Sequence, residues 1–240
     1  MKQYNILDYG AIADGVTNNA AAIQQAIDEA SAEGGRVVIP QGKYLSGTLV
    51  VKSNIDFHLE KGAVLISSLN QEDIMDFAKL FEDDNACTGW DGGCFLFACH
   101  EENITISGEG VIYGQGDKVF IDDDVDGGAH ECPLSVAAFR PRTTFLEDVT
   151  NLTVRDITIQ DAAFWTLHMA GCHHVRVQDI KILNDVRGAN NDGIDPDCCK
   201  DVLITGCLVK TGDDAIVIKT TKPMTQRYGA SENIVISNCI

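Results

Sequence analysis

The sequence predicts an all-β fold, a right-handed single-stranded parallel β-helix whose N-terminal end is capped by one α-helix. Three observations lead there. A short pattern of polar residue, aliphatic, any residue, aliphatic recurs down the chain. Only one long amphipathic helix pattern occurs, near the start. Elsewhere short β-rich runs alternate with Gly, Pro, Ser and Asn.

The helix is expected over about residues 18–33. Thr17 or Asn18 can cap it, Ile23, Ile27 and Ala30 share one face, and Gly34-Gly35 stops it. Strand-like runs follow: Val37-Val38-Ile39, Leu49-Val50-Val51 and Ile55-Asp56-Phe57-His58-Leu59. The repeat then appears as Asn103-Ile104-Thr105-Ile106, Asn151-Leu152-Thr153-Val154, His174-Val175-Arg176-Val177, Asp201-Val202-Leu203-Ile204 and Asn233-Ile234-Val235-Ile236. The last four are separated by 23, 27 and 32 residues, and the first step of 48 reads as two periods with a loop inserted. Such a period suits a solenoid in which each rung covers its neighbour's apolar edge. A β-sandwich would repeat at shorter spacing with hairpin signals. The Asn that opens several repeats is expected at a left-handed corner, where stacked amides can share hydrogen bonds. Residues 69–100 and 116–133 depart from the repeat and read as loops that wall a cleft.

A chain of 240 residues, 45% hydrophobic and 22% charged, can bury one sizeable core, so residues 1–240 are expected to form a single domain. Its formal charge of −18 opposes binding to nucleic acid or anionic lipid. No apolar run reaches signal-peptide or membrane-spanning length, which gives the expectation of a cytoplasmic, soluble protein with neither nucleic acid nor membrane as partner. Nine cysteines, an odd count without a secretion signal, read as free thiols. Adjacent Cys198-Cys199 lack the spacer of a structural zinc site. Asp122-x-Asp124-x-Asp126-Gly127 imitates the start of a calcium loop, but Pro133 stands where the bidentate Glu is needed, and no metal is expected.

The chemistry-bearing segment is Asn190-Asn191-Asp192-Gly193 followed by Gly212-Asp213-Asp214. Asp192 and Asp213 are 21 residues apart, close to one rung, so they can stack on adjacent rungs about 5 Å apart. If Ile216 and Ile218 point inward, Asp213 and Lys219 project outward together. Carboxylates this close cannot all ionise cheaply, and one should keep its proton as a general acid must. Glycoside hydrolysis uses that division between a protonated acid and an ionised base. Turn formation by Asp-Gly and Gly-Asp is the structural alternative.

These two motifs together resemble the paired signature of glycoside hydrolase family 28, the polygalacturonase-like enzymes. The opening, Asp8-Tyr9-Gly10-Ala11 through Ile39-Pro40-x-Gly42-x-Tyr44, resembles the pectin-lyase-like superfamily. Gly108 to Gly116, Arg140-Pro141 and Phe164-Trp165-Thr166-Leu167-His168 are similar to later family segments. The resemblance implies an inverting hydrolase of pectin-type polysaccharide or oligogalacturonide that needs no cofactor. It implies Asp213 as general acid, with Asp192 and Asp214 positioning and activating water, and Asn190, Lys219, Trp165 and His168 as substrate-binding residues. Lys219, Arg187, Arg140 and Arg142 are the cations available to offset a polyanionic substrate. Asn191 stands where the family usually has Thr, and Tyr113 where an Asp is common. The family's downstream Gly-His-Gly and Arg-Ile-Lys motifs do not occur before Ile240, so the chain is expected to be a piece of a longer protein or a divergent branch. A polysaccharide lyase on the same scaffold and a non-catalytic carbohydrate-binding β-helix are the alternatives.

Overall fold

The computed structural model describes residues 1–76, 93–122 and 133–240. Three parallel sheets run along a right-handed solenoid. The first has eight strands, from Lys2–Asn5 and Gly35–Ile39 through Thr150–Arg155 and His173–Gln178 to Lys200–Thr205 and Glu232–Ser237. The second has seven, from Asp14–Asn18 to Leu208–Lys210, and the third has five: Leu49–Val50, Cys94–Cys99, Arg142–Glu147, Leu167–Ala170 and Ile194–Asp197. Each full rung contributes one strand to each sheet, and the chain passes from the third sheet to the first and then the second.

Register makes the recurring motif physical. Leu152 pairs with Val175, Val175 with Val202 and Val202 with Ile234, so the aliphatic positions stack as columns inside the solenoid. Leu152, Val175 and Val202 are buried in one continuous core. The steps of 23, 27 and 32 residues are each one rung. The 48-residue step is also one rung, because Glu102 pairs directly with Thr150. The reading of two periods is therefore corrected: in sequence, the extra residues fall between the second-sheet strand Val111–Tyr113 and the third-sheet strand Arg142–Glu147.

The corner expectation is met. Asn54, Asn103, Asn151, His174, Asp201 and Asn233 all have φ between 54° and 64°. Asn103 Nδ2 donates to Asn54 Oδ1 at 2.9 Å, and Asn151 Nδ2 donates to Asn103 Oδ1 at 3.0 Å. His174 interrupts this amide column, and Asn233 resumes it by donating to Asp201 at 3.0 Å. Asn tolerates the left-handed bend better than larger side chains, and the shared hydrogen bond holds successive corners in line.

The helix spans Ala20–Glu33 and buries Ile23, Ala26, Ile27 and Ala30 over the N-terminal end of the core. Its boundary residue is Asn19, not Thr17 or Asn18, because Asp14–Asn18 is a strand. Asn19 uses its side chain on the preceding turn, accepting from Ile12 N, while Asn18 Oδ1 accepts from Ala20 N. Gly34, with φ of 73°, ends the helix.

The loop expected over 69–100 is shortened, since Cys94–Cys99 is a strand of the third sheet with Phe95 and Leu96 buried in the core. Within 116–133, Phe120–Ile121 pairs antiparallel with Ser135–Val136. Asp124 and Asp126 lie outside the described residues, and Asp122 pairs with Arg187 at 2.7 Å. A short helix, Lys222–Tyr228, covers part of the third sheet with Met224. The Tyr228 ring lies where a side chain on Gly171 would be, 2.4 Å from a Cβ there, and Gly171 also takes a φ of 62°. No described helix is long and apolar enough to cross a membrane.

The corner column yields a stability test. Asn151→Gly keeps the left-handed backbone and loses the amide bond, whereas Asn151→Val loses the bond and strains the backbone as well. The valine variant should be less stable than the glycine variant by about 1–2 kcal/mol, measured as the difference in unfolding free energy in guanidinium.

Candidate active site

The site lies where turns from the second sheet enter the third. Gly193 N donates to Asp214 O at 2.9 Å, and Ile194 bridges to Ile216, so the Asp192 turn and the Asp213-Asp214 turn occupy adjacent rungs. The register partner of Asp192 is thus Asp214, with Asp213 one residue before it. Ile216 packs on the core, but Ile218 is 48% exposed, which corrects the expectation that both isoleucines point inward. Parallel pairing of Asp197 with Lys219 keeps the strand direction even so.

Lys219 folds over the site. Its Nζ lies 2.7 Å from Asp192 Oδ2, 3.7 Å from Asp195 Oδ1 and 4.4 Å from the centre of the Trp165 ring. Asp192 is 3% exposed, and burial raises its carboxyl above the ordinary range, against the pull of Lys219 and with help from Asp213. Asp195 is fully buried and neither carboxylate oxygen has a hydrogen-bond partner. Burial, then the charge of Asp192, pushes its carboxyl well above the usual value. Burial disfavours the Lys219 ammonium, but the Asp192 bond and the Asp195 charge outweigh it and raise its pKa.

Asp213 and Asp214 are exposed. Asp213 Oδ1 accepts from Asp214 N at 3.0 Å, and Asn190 Nδ2 reaches Asp213 Oδ2 at 3.5 Å. Behind Asn190, Arg140 donates to its Oδ1 at 3.1 Å and to the Ala189 carbonyl at 2.8 Å. Arg140 and Arg142 also stack on the Phe164 ring, at 4.4 and 4.7 Å. Trp165 lies parallel to Phe164 with centroids 5.5 Å apart and is partly exposed.

The structure brings Asp192, Asp213, Asp214, Asn190, Lys219 and Trp165 together. His168 sits behind them: it is 4% exposed, its ring edge meets Trp165 at 4.8 Å, and Nε2 lies 3.4 Å from Asp197 Oδ2. Burial pushes its pKa down to about 4, against the Asp197 hydrogen bond, so the ring is neutral near pH 7. Asp197 also accepts from Thr221 N at 2.9 Å and Oγ1 at 2.6 Å, which anchors the chain just after Lys219.

Sequence reasoning missed Asp195, Asp197 and Asn184 as members of the site, and it gave Asn191, inside the first motif, no role of its own. Asp195-Pro196-Asp197 lies outside both motifs, and it belongs to the buried strand Ile194–Asp197. The available signal was the pairing of His168 with Asp195 one rung apart, which needs the register to be seen. Cys198 and Cys199 are buried, with Sγ atoms directed at Asp197 Oδ1 and the Met169 carbonyl. Among the described residues no group of three or more His, Cys, Asp or Glu is arranged to hold a metal ion.

Asp195 gives a pH test. Its proton affinity is higher folded than unfolded, so its contribution to stability is full below the unfolded carboxyl value, about 4. That contribution is lost as pH rises toward the higher folded value. Asp195→Asn removes the titration, and its melting temperature should fall less than the wild type's between pH 4 and 7. The difference is about 3–5 °C for each pH unit by which the affinity is raised; equal slopes in calorimetry would refute it.

A "Probable polygalacturonase" of Vitis vinifera is 28% identical over 226 residues, 90% of this chain and 44% of that protein. Rhamnogalacturonase A of Aspergillus niger is 29% identical over 197 residues, 81% of this chain and 36% of that protein. The family 28 exopolygalacturonase structure from Yersinia enterocolitica matches with a TM-score of 0.79 at 25% identity, covering 99% of this chain and 48% of the other. The chain therefore spans less than half the length of these relatives. The family model described as "Glycosyl hydrolases family 28" matches residues 36–239, both aspartate motifs included, and the chain belongs to that family.

Proposed function

We propose that the chain carries the aspartate centre of a glycoside hydrolase that cleaves pectin-type polysaccharide or oligogalacturonide with inversion. The observation that carries the reading is the meeting of Asp192, Asp213 and Asp214 on two adjacent rungs, with Lys219 on Asp192 and Asn190 on Asp213. Asp213 is the general acid, exposed where a leaving oxygen can reach it. Asp192 and Asp214 are the groups that orient and deprotonate water. In an inverting reaction the acid and the base act from opposite sides of the sugar.

Substrate chemistry follows from the same surroundings. A chain with a charge of −18 repels a polyuronate, so cations must gather at the site. Lys219, Arg140 and Arg142 do gather around Phe164 and Trp165. The exposed part of Trp165 offers an apolar surface for a sugar face. The relatives' names, polygalacturonase and rhamnogalacturonase, support a galacturonate-containing backbone.

The test is hydrolysis of polygalacturonate followed by reducing-end release and by proton NMR of the first-formed anomer. Asp192→Asn, Asp213→Asn and Asp214→Asn should each lose about 10²–10⁴ in kcat while remaining folded, as judged by circular dichroism. Asp213→Asn should be spared on an aryl glycoside with an activated leaving group, which needs no proton; the other two should not be. Equal losses on both substrates would remove the general-acid role from Asp213. An unsaturated, ultraviolet-absorbing product would indicate a lyase instead.

A further inference from the structure

The two catalytic turns must keep a fixed separation, and one buried side chain spans them. Asn191 is fully buried, so it cannot touch a substrate. Its Oδ1 accepts from Gly212 N at 2.7 Å, and its Nδ2 donates to the Asp185 carbonyl at 2.8 Å. Its own carbonyl accepts from Asn184 Nδ2 at 3.0 Å, and Asn184 in turn holds Thr166 Oγ1 and Ala162 N. We infer that Asn191 is a positioning residue: its amide clips the Asp213-Asp214 turn to the Asp192 turn and so sets the spacing of the carboxylates.

Three features support the clip. The Asp213-Asp214 turn is tied to the neighbouring rung by the Gly193 N to Asp214 O bond on its C-terminal side and by Asn191 to Gly212 on its N-terminal side. Without Asn191 the second of these ties is lost. The surrounding backbone leaves no slack: a Cβ on Gly188 would lie 2.2 Å from Asn191 Nδ2, and one on Gly212 would lie 2.5 Å from the Gly188 carbonyl. An amide also presents a donor and an acceptor on separate atoms, which fits a carbonyl on one side and an N–H on the other. A Thr hydroxyl, the usual group here by family resemblance, has a single oxygen for both and a shorter reach.

The effect on turnover rests on the hydrolase reading above; the effect on the Gly212 amide does not. The test therefore combines amide hydrogen exchange by NMR with steady-state kinetics on polygalacturonate, for Asn191→Ala and Asn191→Thr. In the alanine variant the Gly212 amide should exchange at least about tenfold faster, the loss expected for one hydrogen bond, while the Ile194 and Leu167 amides stay protected. Its kcat should fall about 100-fold, the effect of a displacement near 1 Å, with KM within about twofold. The threonine variant should fall between alanine and wild type in both readouts, and it serves alone if the alanine variant does not fold. Unchanged Gly212 protection overturns the inference, as does lost protection with undiminished kcat. If the wild type hydrolyses no galacturonan, the hydrolase reading fails and the exchange result alone decides whether Asn191 is the clip.

Discussion

In-register hydrogen bonding between successive parallel rungs is the constraint on which the rest of the molecule depends. Neighbouring strands lie about 4.8 Å apart, so a residue's column fixes its depth and its direction at once. Val154, Val177 and Ile204 fill the interior because the rungs above and below place aliphatic groups in the same column. The left-handed corners at Asn103, Asn151 and Asp201 keep that register across rungs of unequal length. A slip of one residue would turn every buried aliphatic outward, which is why rungs of 23 and 48 residues still align.

The same constraint creates an electrostatic problem at the site. Stacking the turns that carry Asp192 and Asp214 beside the strand that carries Asp195 brings like charges close together, and burial further disfavours the charged forms. One ammonium, Lys219, lies between two of the carboxyls, at 2.7 and 3.7 Å. Its position is secured from behind, since Asp197 fixes Thr221 and the neutral His168 ring backs Trp165. A raised carboxyl pKa in this cluster follows from burial exceeding compensation: Asp192 has the nearer cation, and Asp195 has no hydrogen bond to its oxygens at all.

Much of this was legible in the chain. Short-range alternation exposed the strands, the recurring Asn exposed the corners, and the motif spacing placed Asp192 and Asp213 one rung apart, because each signal is local or strictly periodic. What was hidden depends on register between distant residues. The strand Cys94–Cys99 looked like loop because it follows a long insertion, and its burial comes from pairing with Leu49–Val50 and Arg142–Glu147. Asp195 lies outside both motifs, and only the register places it beside His168. The 48-residue step looked like two rungs because length alone cannot tell an insertion from an extra turn. Ile218 alternates as a core residue would, yet it is exposed.

The placement of insertions ties fold to chemistry. Between the second-sheet strand Val111–Tyr113 and the third-sheet strand Arg142–Glu147 the chain takes a long excursion, whereas Leu183 to Ile194 and Lys210 to Ile216 are short. All three lie at the same corner of the solenoid. Long excursions at that corner can vary in sequence without disturbing the columns, because the strands on either side are held by their neighbours. Short ones have less freedom, since their few residues carry Asp192, Asp213 and Asp214 and must still meet the register. The buried amides of Asn184 and Asn191 supply the missing cross-links within these short turns, satisfying backbone groups that no strand pairs. Precision at the carboxylates is thus a property of turn length and buried amides.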